Sequence, residues 1–217
     1  SKPIKWMSTR PFWRYEEPQQ GRFREFYQTN VDIFGSAEPV ADAEILGVAA
    51  DSLVALGLDA ADFDFRVSHR DVLSGILDSF DTDVDVGDAI RTVDKREKID
   101  HDEYVDGMVT AGLDPDHVDR FDELLAFESD ELDELGAATG SERVADAVEN
   151  LQAVLAAAED LGVREYCTVS LDTARGLDYY TGVVFECFDS TGEVSRSVFG
   201  GGRYDDLIES FGGQPPP

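Results

Sequence analysis

The sequence predicts an α+β fold: a mainly antiparallel sheet with helices against it, interrupted by a helical insertion. Three observations point there. Strand-like runs cluster at the two ends of the chain, at residues 22–34 and 63–68 and again at 166–171 and 183–188. Between them, from about residue 71 to 162, the apolar residues recur at helical rather than alternating spacing. The 217 residues are enough for a substantial core, with 42% hydrophobic and 10% aromatic content. The reading divides the chain into 1–70, 71–164 and 165–217, the outer two parts forming one sheet domain around the helical part.

The opening run reads as a β-hairpin, with an aromatic-rich arm at residues 12–16, a turn through "EPQQG" and a long arm over 22–34. The second arm alternates. Phe23, Tyr27, Val31 and Ile33 fall on one face; Arg22, Arg24, Phe26, Gln28, Asn30 and Asp32 fall on the other. Ile45, Val48, Ala49, Leu53 and Leu56 give a helix over 41–56, stopped at Gly57. Asp114-Pro115 marks a helix start. Ser141 caps a further helix with Val144, Val148, Leu151, Leu155 and Leu161 on one stripe, closed by Gly162.

Charge singles out the hairpin. The chain carries a net −29, with 47 acidic against 18 basic residues, yet residues 1–28 hold six basic and three acidic side chains, a net of +3 that leaves −32 for the rest. An acidity so evenly spread suits concentrated salt, where the screening length is about 3 Å. Local exceptions then say more about a ligand than the total does. Cys167 and Cys187 sit in separate strand-like runs, "YCTVSL" and "FECF", and read as buried free thiols. No apolar run reaches the roughly 20 residues of a membrane span, and the N-terminus is not signal-like. The expectation is a cytoplasmic protein without a membrane partner.

Several motif fragments fail. The "HRD" at 69–71 lacks the asparagine of a kinase catalytic loop, since Ile76 stands there. "DTDVDVG" at 81–87 has its glycine one residue late for a calcium loop, and Thr92 in place of the closing glutamate. His69, His101 and His117 lack zinc spacing, so no protein-held metal is expected. What remains is the polar strand face, where arginine forks suit phosphate oxygens and a carboxylate suits an ammonium group. From Arg22 to Asp32 a strand runs roughly 33 Å, long enough to hold a phosphate at one end and an amine further along.

These residues carry a resemblance. "FWRYEE" followed by "RFREF" resembles motif 2 of the class II aminoacyl-tRNA synthetases. More narrowly, "RYEEPQQGRFREFYQTNVDIFG", "RGLDYYTG" at 175–182 and "GGGRYDDL" at 200–207 resemble the histidyl-tRNA synthetase family, in the family's order. The resemblance implies a class II synthetase-type fold, ATP as substrate with Mg²⁺, and L-histidine and tRNA(His) as partners. It also implies roles. Arg14 holds the ATP α-phosphate, Arg22 the outer phosphates, Glu16 lies near the adenine, and Phe26 stacks on it. Gln28 and Asp32 take the α-amino end of histidine. Arg175 stands beside the carboxylate and α-phosphate, Tyr179 and Tyr180 line the imidazole pocket, and Gly201 and Gly202 admit the substrate close to the backbone. Arg14 and Arg175 are thus the expected catalytic pair.

Against the family pattern, the segments of motif 1, motif 3 and the anticodon-binding domain are not in this sequence. The expectation is therefore a piece of a catalytic domain whose parent is a homodimer, the piece itself folded but inactive and not forming the family-type dimer. A non-catalytic synthetase-like module, such as a histidine-biosynthesis regulatory subunit or a kinase sensor domain, is the competing reading.

Overall fold

The computed structural model describes residues 3–15, 23–173, 180–194 and 196–212. It begins with a two-stranded antiparallel ribbon, β1 (Ile4–Trp13) and β2 (Glu25–Phe34). The first arm is much longer than residues 12–16. Lys5, Ser8 and Arg10 break its apolar alternation, so only pairing with β2, from Ile4↔Phe34 to Trp13↔Glu25, reveals its extent. Opposed residues share a face. Phe12/Phe26, Arg10/Gln28, Ser8/Asn30 and Trp6/Asp32 therefore line one side, and Trp13, Tyr27, Met7 and Val31 the other.

Helix α1 (Pro39–Ala55) follows, with proline in its first turn. Its buried stripe is Ala41, Ala43, Leu46 and Ala50, with Ile45, Ala49 and Leu53 only half-buried beside it and Leu56 exposed. The stripe is rotated from the sequence reading because α1 is apolar almost all round. Its small alanines permit close approach of α7, and that contact selects the face. Strand β3 (Phe63–His69) then passes directly into α2 (Arg70–Asp78). His69 is the cap: its Nδ1 accepts the Asp71 amide at 3.1 Å. Burial pushes its basicity below the usual histidine range, leaving a neutral ring whose other nitrogen carries the hydrogen.

Four helices come next: α3 (Val86–Val93), α4 (His101–Thr110), α5 (Pro115–Leu125) and α6 (Leu132–Thr139). The aspartates at 85, 100 and 114 each cap a helix through a side-chain oxygen. The acidic loop before α3 thus does structural work, Asp85 Oδ1 accepting the Asp88 amide at 2.9 Å. Helix α7 (Glu142–Asp160) starts at Ser141, whose Oγ accepts from the Val144 amide. Val144, Val148, Leu151 and Leu155 are buried as the spacing predicts, and Ala147, Val154 and Ala158 complete the face. Leu161 is not part of it: the helix ends one residue earlier and leaves that side chain exposed.

The chain returns through β4 (Cys167–Val169), β5 (Val183–Asp189), β6 (Phe199–Gly202) and a short α8 (Leu207–Ser210). Strand order is β4-β3-β5-β6, antiparallel except for the β3–β4 pair. The strand expected over 166–171 is therefore only three residues long, because a 3₁₀ turn (Arg164–Tyr166) precedes it and the chain turns after Ser170, whose amide still donates to the Val67 carbonyl at 3.0 Å. Phe65, Val67, Phe185 and Cys187 meet Leu46, Leu151 and Val154 in one contiguous buried cluster. Helix α7 packs on α1, α2, α6 and β3. Both cysteines are free and buried, and burial pushes each thiol up to about 12.

Among the described residues several cations hold acids in pairs, including Lys5 with Glu44 at 2.5 Å and Arg143 with Asp71 and Asp78 at 2.5 and 2.8 Å. The large acidic excess has no such partners and repels itself. Thermal unfolding should therefore shift upward by several degrees between dilute buffer and molar KCl, about 2–4 °C for each kcal/mol relieved in a chain of this size. Equal midpoints by circular dichroism would show that the acidity is no adaptation to salt.

Candidate active site

The site is built outward from the even-numbered face of the ribbon. Past the end of β1 the ladder continues, the Arg14 amide donating to the Arg24 carbonyl at 2.9 Å. That bond keeps Arg14 on the side of Phe12 and Phe26. The two phenyl rings stack at 6.2 Å and 24°, and the Arg14 guanidinium lies 5.3 Å from the Phe26 centroid. The result is a flat aromatic platform with a cation over it, a geometry fitted to a planar heterocycle bearing phosphate. Same-face neighbours along a strand are about 7 Å apart. Gln28 is therefore one step from the platform and Asp32 three.

At the far end of the ribbon, Tyr204 donates its hydroxyl to Asp32 Oδ1 at 2.5 Å and sets its ring edge-on to Phe34. Tyr204 stands in the "GGGRYDDL" segment, where sequence reasoning gave roles only to glycines. An aromatic hydroxyl next to an arginine was the available signal. Asp32 thus keeps a fixed carboxylate orientation before any ligand arrives.

Arg203 anchors the same corner. Its guanidinium donates to Asp42 at 2.6 and 3.2 Å, to the Ser36 and Glu38 carbonyls at 3.1 and 3.3 Å, and to Asp205 at 3.2 Å. It is 12% exposed and Asp42 13%. Burial raises the Asp42 pKa above the ordinary aspartate value, and the Arg203 hydrogen bond and charge work against that rise. The β2–α1 turn is thereby clamped to the sheet beside β6.

The glycines earn their places through contacts. A Cβ on Gly202 would stand 2.7 Å from Tyr180 Cδ1 and 2.9 Å from Val184 Cγ1, and one on Gly201 2.9 Å from Phe185 Cε1. Gly182 leaves room for the Arg203 stem in the same way, at 2.9 Å from its Cδ. In this structure the space beside Gly202 is thus occupied by the buried Tyr180 ring. Segments 181–183 and 203–205 are zipped together by Thr181 N–Arg203 O and Arg203 N–Val183 O bonds, both 2.8 Å.

Of the residues singled out from the sequence, Arg14, Phe26, Gln28 and Asp32 share one ribbon face, while Tyr180, Gly201 and Gly202 lie together around β6. Tyr204 links the two groups. Glu16, Arg22, Arg175 and Tyr179 fall outside the described residues. Among the described residues no cluster of His, Cys, Asp or Glu has the makeup of a metal site, and no helix is long and apolar enough to cross a membrane.

Comparison with known proteins decides the family. The family model described as histidyl-tRNA synthetase matches residues 1–217. The chain belongs to the histidyl-tRNA synthetase family. Curated relatives named histidine–tRNA ligase agree: those of Haloarcula marismortui and Natronomonas pharaonis are 74% and 70% identical over all 217 residues. The chain spans about half the length of each. These relatives are haloarchaeal, as the acidic composition suggests. Among solved structures, histidyl-tRNA synthetase from Nostoc sp. PCC 7120 superposes with a TM-score of 0.83 at 25% identity, over 97% of this chain and 50% of that one. A Bacillus halodurans chain titled ATP phosphoribosyltransferase regulatory subunit/histidyl-tRNA synthetase shares the fold, with a TM-score of 0.80 at 23% identity over 99% of this chain and 55% of that one. The class II synthetase-type α+β architecture holds, with one parallel strand pair in an otherwise antiparallel sheet.

Proposed function

We propose that this chain forms the ATP- and histidine-binding part of a cytoplasmic histidine–tRNA ligase. The observation that carries the reading is the single ribbon face holding Arg14, Phe26, Gln28 and Asp32, with Asp32 oriented by Tyr204. Phe26 takes the adenine and Arg14 the α-phosphate; Gln28 and Asp32 take the α-ammonium group. The histidine carboxylate oxygen attacks the α-phosphorus, the bond from phosphorus to the bridging oxygen breaks, and pyrophosphate leaves. In a second step a ribose hydroxyl at the 3′ end of tRNA(His) attacks the acyl carbon and AMP leaves. Neither step needs a protein nucleophile; both need alignment and compensation of developing negative charge. Arg14, Glu16, Arg22, Arg175, Tyr179 and Tyr180 fill the roles the family pattern implies, while Gly201 and Gly202 make room for the Phe185 and Tyr180 rings that stand against them. Magnesium bound to the ATP phosphates would neutralise part of their charge.

Residues 71–164 form the helical insertion on this reading, and the parent acts as a homodimer. The regulatory-module alternative has the shared fold with the Bacillus halodurans chain in its favour. Histidine-dependent exchange of labelled pyrophosphate into ATP separates the two. A protein of the relatives' full length carrying this sequence, assayed in molar KCl, should catalyse exchange with histidine and not with the other amino acids. Histidine binding without exchange would establish the regulatory module instead.

A further inference from the structure

Arg10 has no place in the roles above, yet its position is unusual. It lies on β1 directly opposite Gln28, on the ribbon face that carries Phe12, Phe26 and Asp32. Its side chain is exposed, and among the described residues it makes no ion pair or side-chain hydrogen bond. Lys5, Arg91, Arg120, Arg143 and Arg203 are each paired with an acid. Arg164 also has no acid among the described residues, but its guanidinium is taken by the Cys167 carbonyl and the Ser129 hydroxyl. Lys95 and Lys98 resemble Arg10 in this respect, but they sit on an exposed turn away from the ribbon.

Distance along the face defines what Arg10 can reach. The Phe12/Phe26 platform is one step of about 7 Å to one side and the Trp6/Asp32 row two steps to the other. An extended arginine spans such a step. On the reading given above, that interval holds the junction of the acyl-adenylate, where amino acid carboxylate and α-phosphate meet. We propose that Arg10 is a further substrate-contacting residue, its guanidinium taking an oxyanion of this junction between the aromatic platform and Gln28. The oxyanion is a carboxylate oxygen or a phosphoryl oxygen; the planar fork suits both. The absence of a resident acid leaves the fork available without an ion pair to break.

The inference rests on the histidine-ligase reading, and the test separates the two. In the full-length protein, Arg10→Gln should lower kcat/KM for histidine-dependent pyrophosphate exchange about tenfold or more, the usual weight of a charge-assisted hydrogen bond. Arg10→Lys should recover part of it. The thermal midpoint in molar KCl should stay unchanged, since the side chain has no partner to lose. Weakened binding of histidine with unchanged binding of histidinol, which lacks the carboxylate, assigns the carboxylate. A raised KM for ATP alone assigns the phosphoryl oxygen. Exchange within twofold of the unaltered protein, in a folded Arg10→Gln variant, overturns the inference. Lack of exchange in the unaltered protein instead removes the ligase reading, and this assignment with it.

Discussion

Replacing Arg203 by methionine is expected to cost about 3–5 kcal/mol at neutral pH, the range for removing one partner of a buried ion pair. Methionine preserves much of the stem that fills the space beside Gly182, so the loss reports the guanidinium. Asp42 would be left buried and charged, the Ser36 and Glu38 carbonyls would lose their donor, and the β2–α1 turn would lose its tie to β6. The pH dependence has a definite sign. Burial already raises the folded-state pKa of Asp42 above its unfolded value, and loss of Arg203 removes the opposing influence and raises it further. A group whose folded pKa is raised binds its proton more readily in the folded state, so the deficit is full above that pKa and shrinks as pH falls through it. The variant should therefore recover ground relative to the parent on mild acidification. Asp42→Asn in the same background should recover it at neutral pH. Denaturant melts of both single variants and the double variant measure the coupling; costs below 1 kcal/mol that add independently would mean the pair is not a unit. Because Tyr204 follows Arg203 directly, histidine binding should weaken along with stability.

Arg175→Ala should depress pyrophosphate exchange by orders of magnitude while weakening histidine binding far less. Arg175 lies outside the described residues, and the expectation rests on its place in "RGLDYYTG" and on the proposed chemistry. If the guanidinium bridges the histidine carboxylate and the α-phosphate, it meets the greatest negative charge as the new bond forms. An interaction made chiefly in the transition state appears in kcat more than in binding. Arg175→Lys should also fail substantially, since a point charge does not reproduce a planar fork. Asp172 and Asp178 flank it in sequence, and a merely structural pairing with either predicts a less stable protein with near-normal turnover per folded molecule. Single-turnover kinetics beside a thermal melt distinguish these outcomes.

Local rules were enough for much of this protein. The alternation of residues 22–34 placed Phe26, Gln28 and Asp32 on one face, because side chains in a strand leave on opposite sides at every step. Helix starts at Pro115 and Ser141 were legible because capping and proline preferences act over three or four residues. The family followed from three short segments. What depended on residues distant in sequence was not legible. The true length of β1 was hidden because its polar residues follow the partner strand rather than their own pattern. The buried face of α1 was hidden because a helix apolar on nearly every side has no preferred direction until α7 arrives. Gly202 reads from sequence as a place where substrate nears the backbone, and Gly182 has no role, until the Tyr180 ring and the Arg203 stem are seen against them. Tyr204 and Asp32 stand 172 residues apart, and no local spacing could connect them. The sequence by itself determined which residues share a strand face, where helices begin, and the family. The tertiary structure alone decided which distant groups hold Asp32 and Asp42 in place, because those contacts form only when the last segment of the chain folds back onto the first.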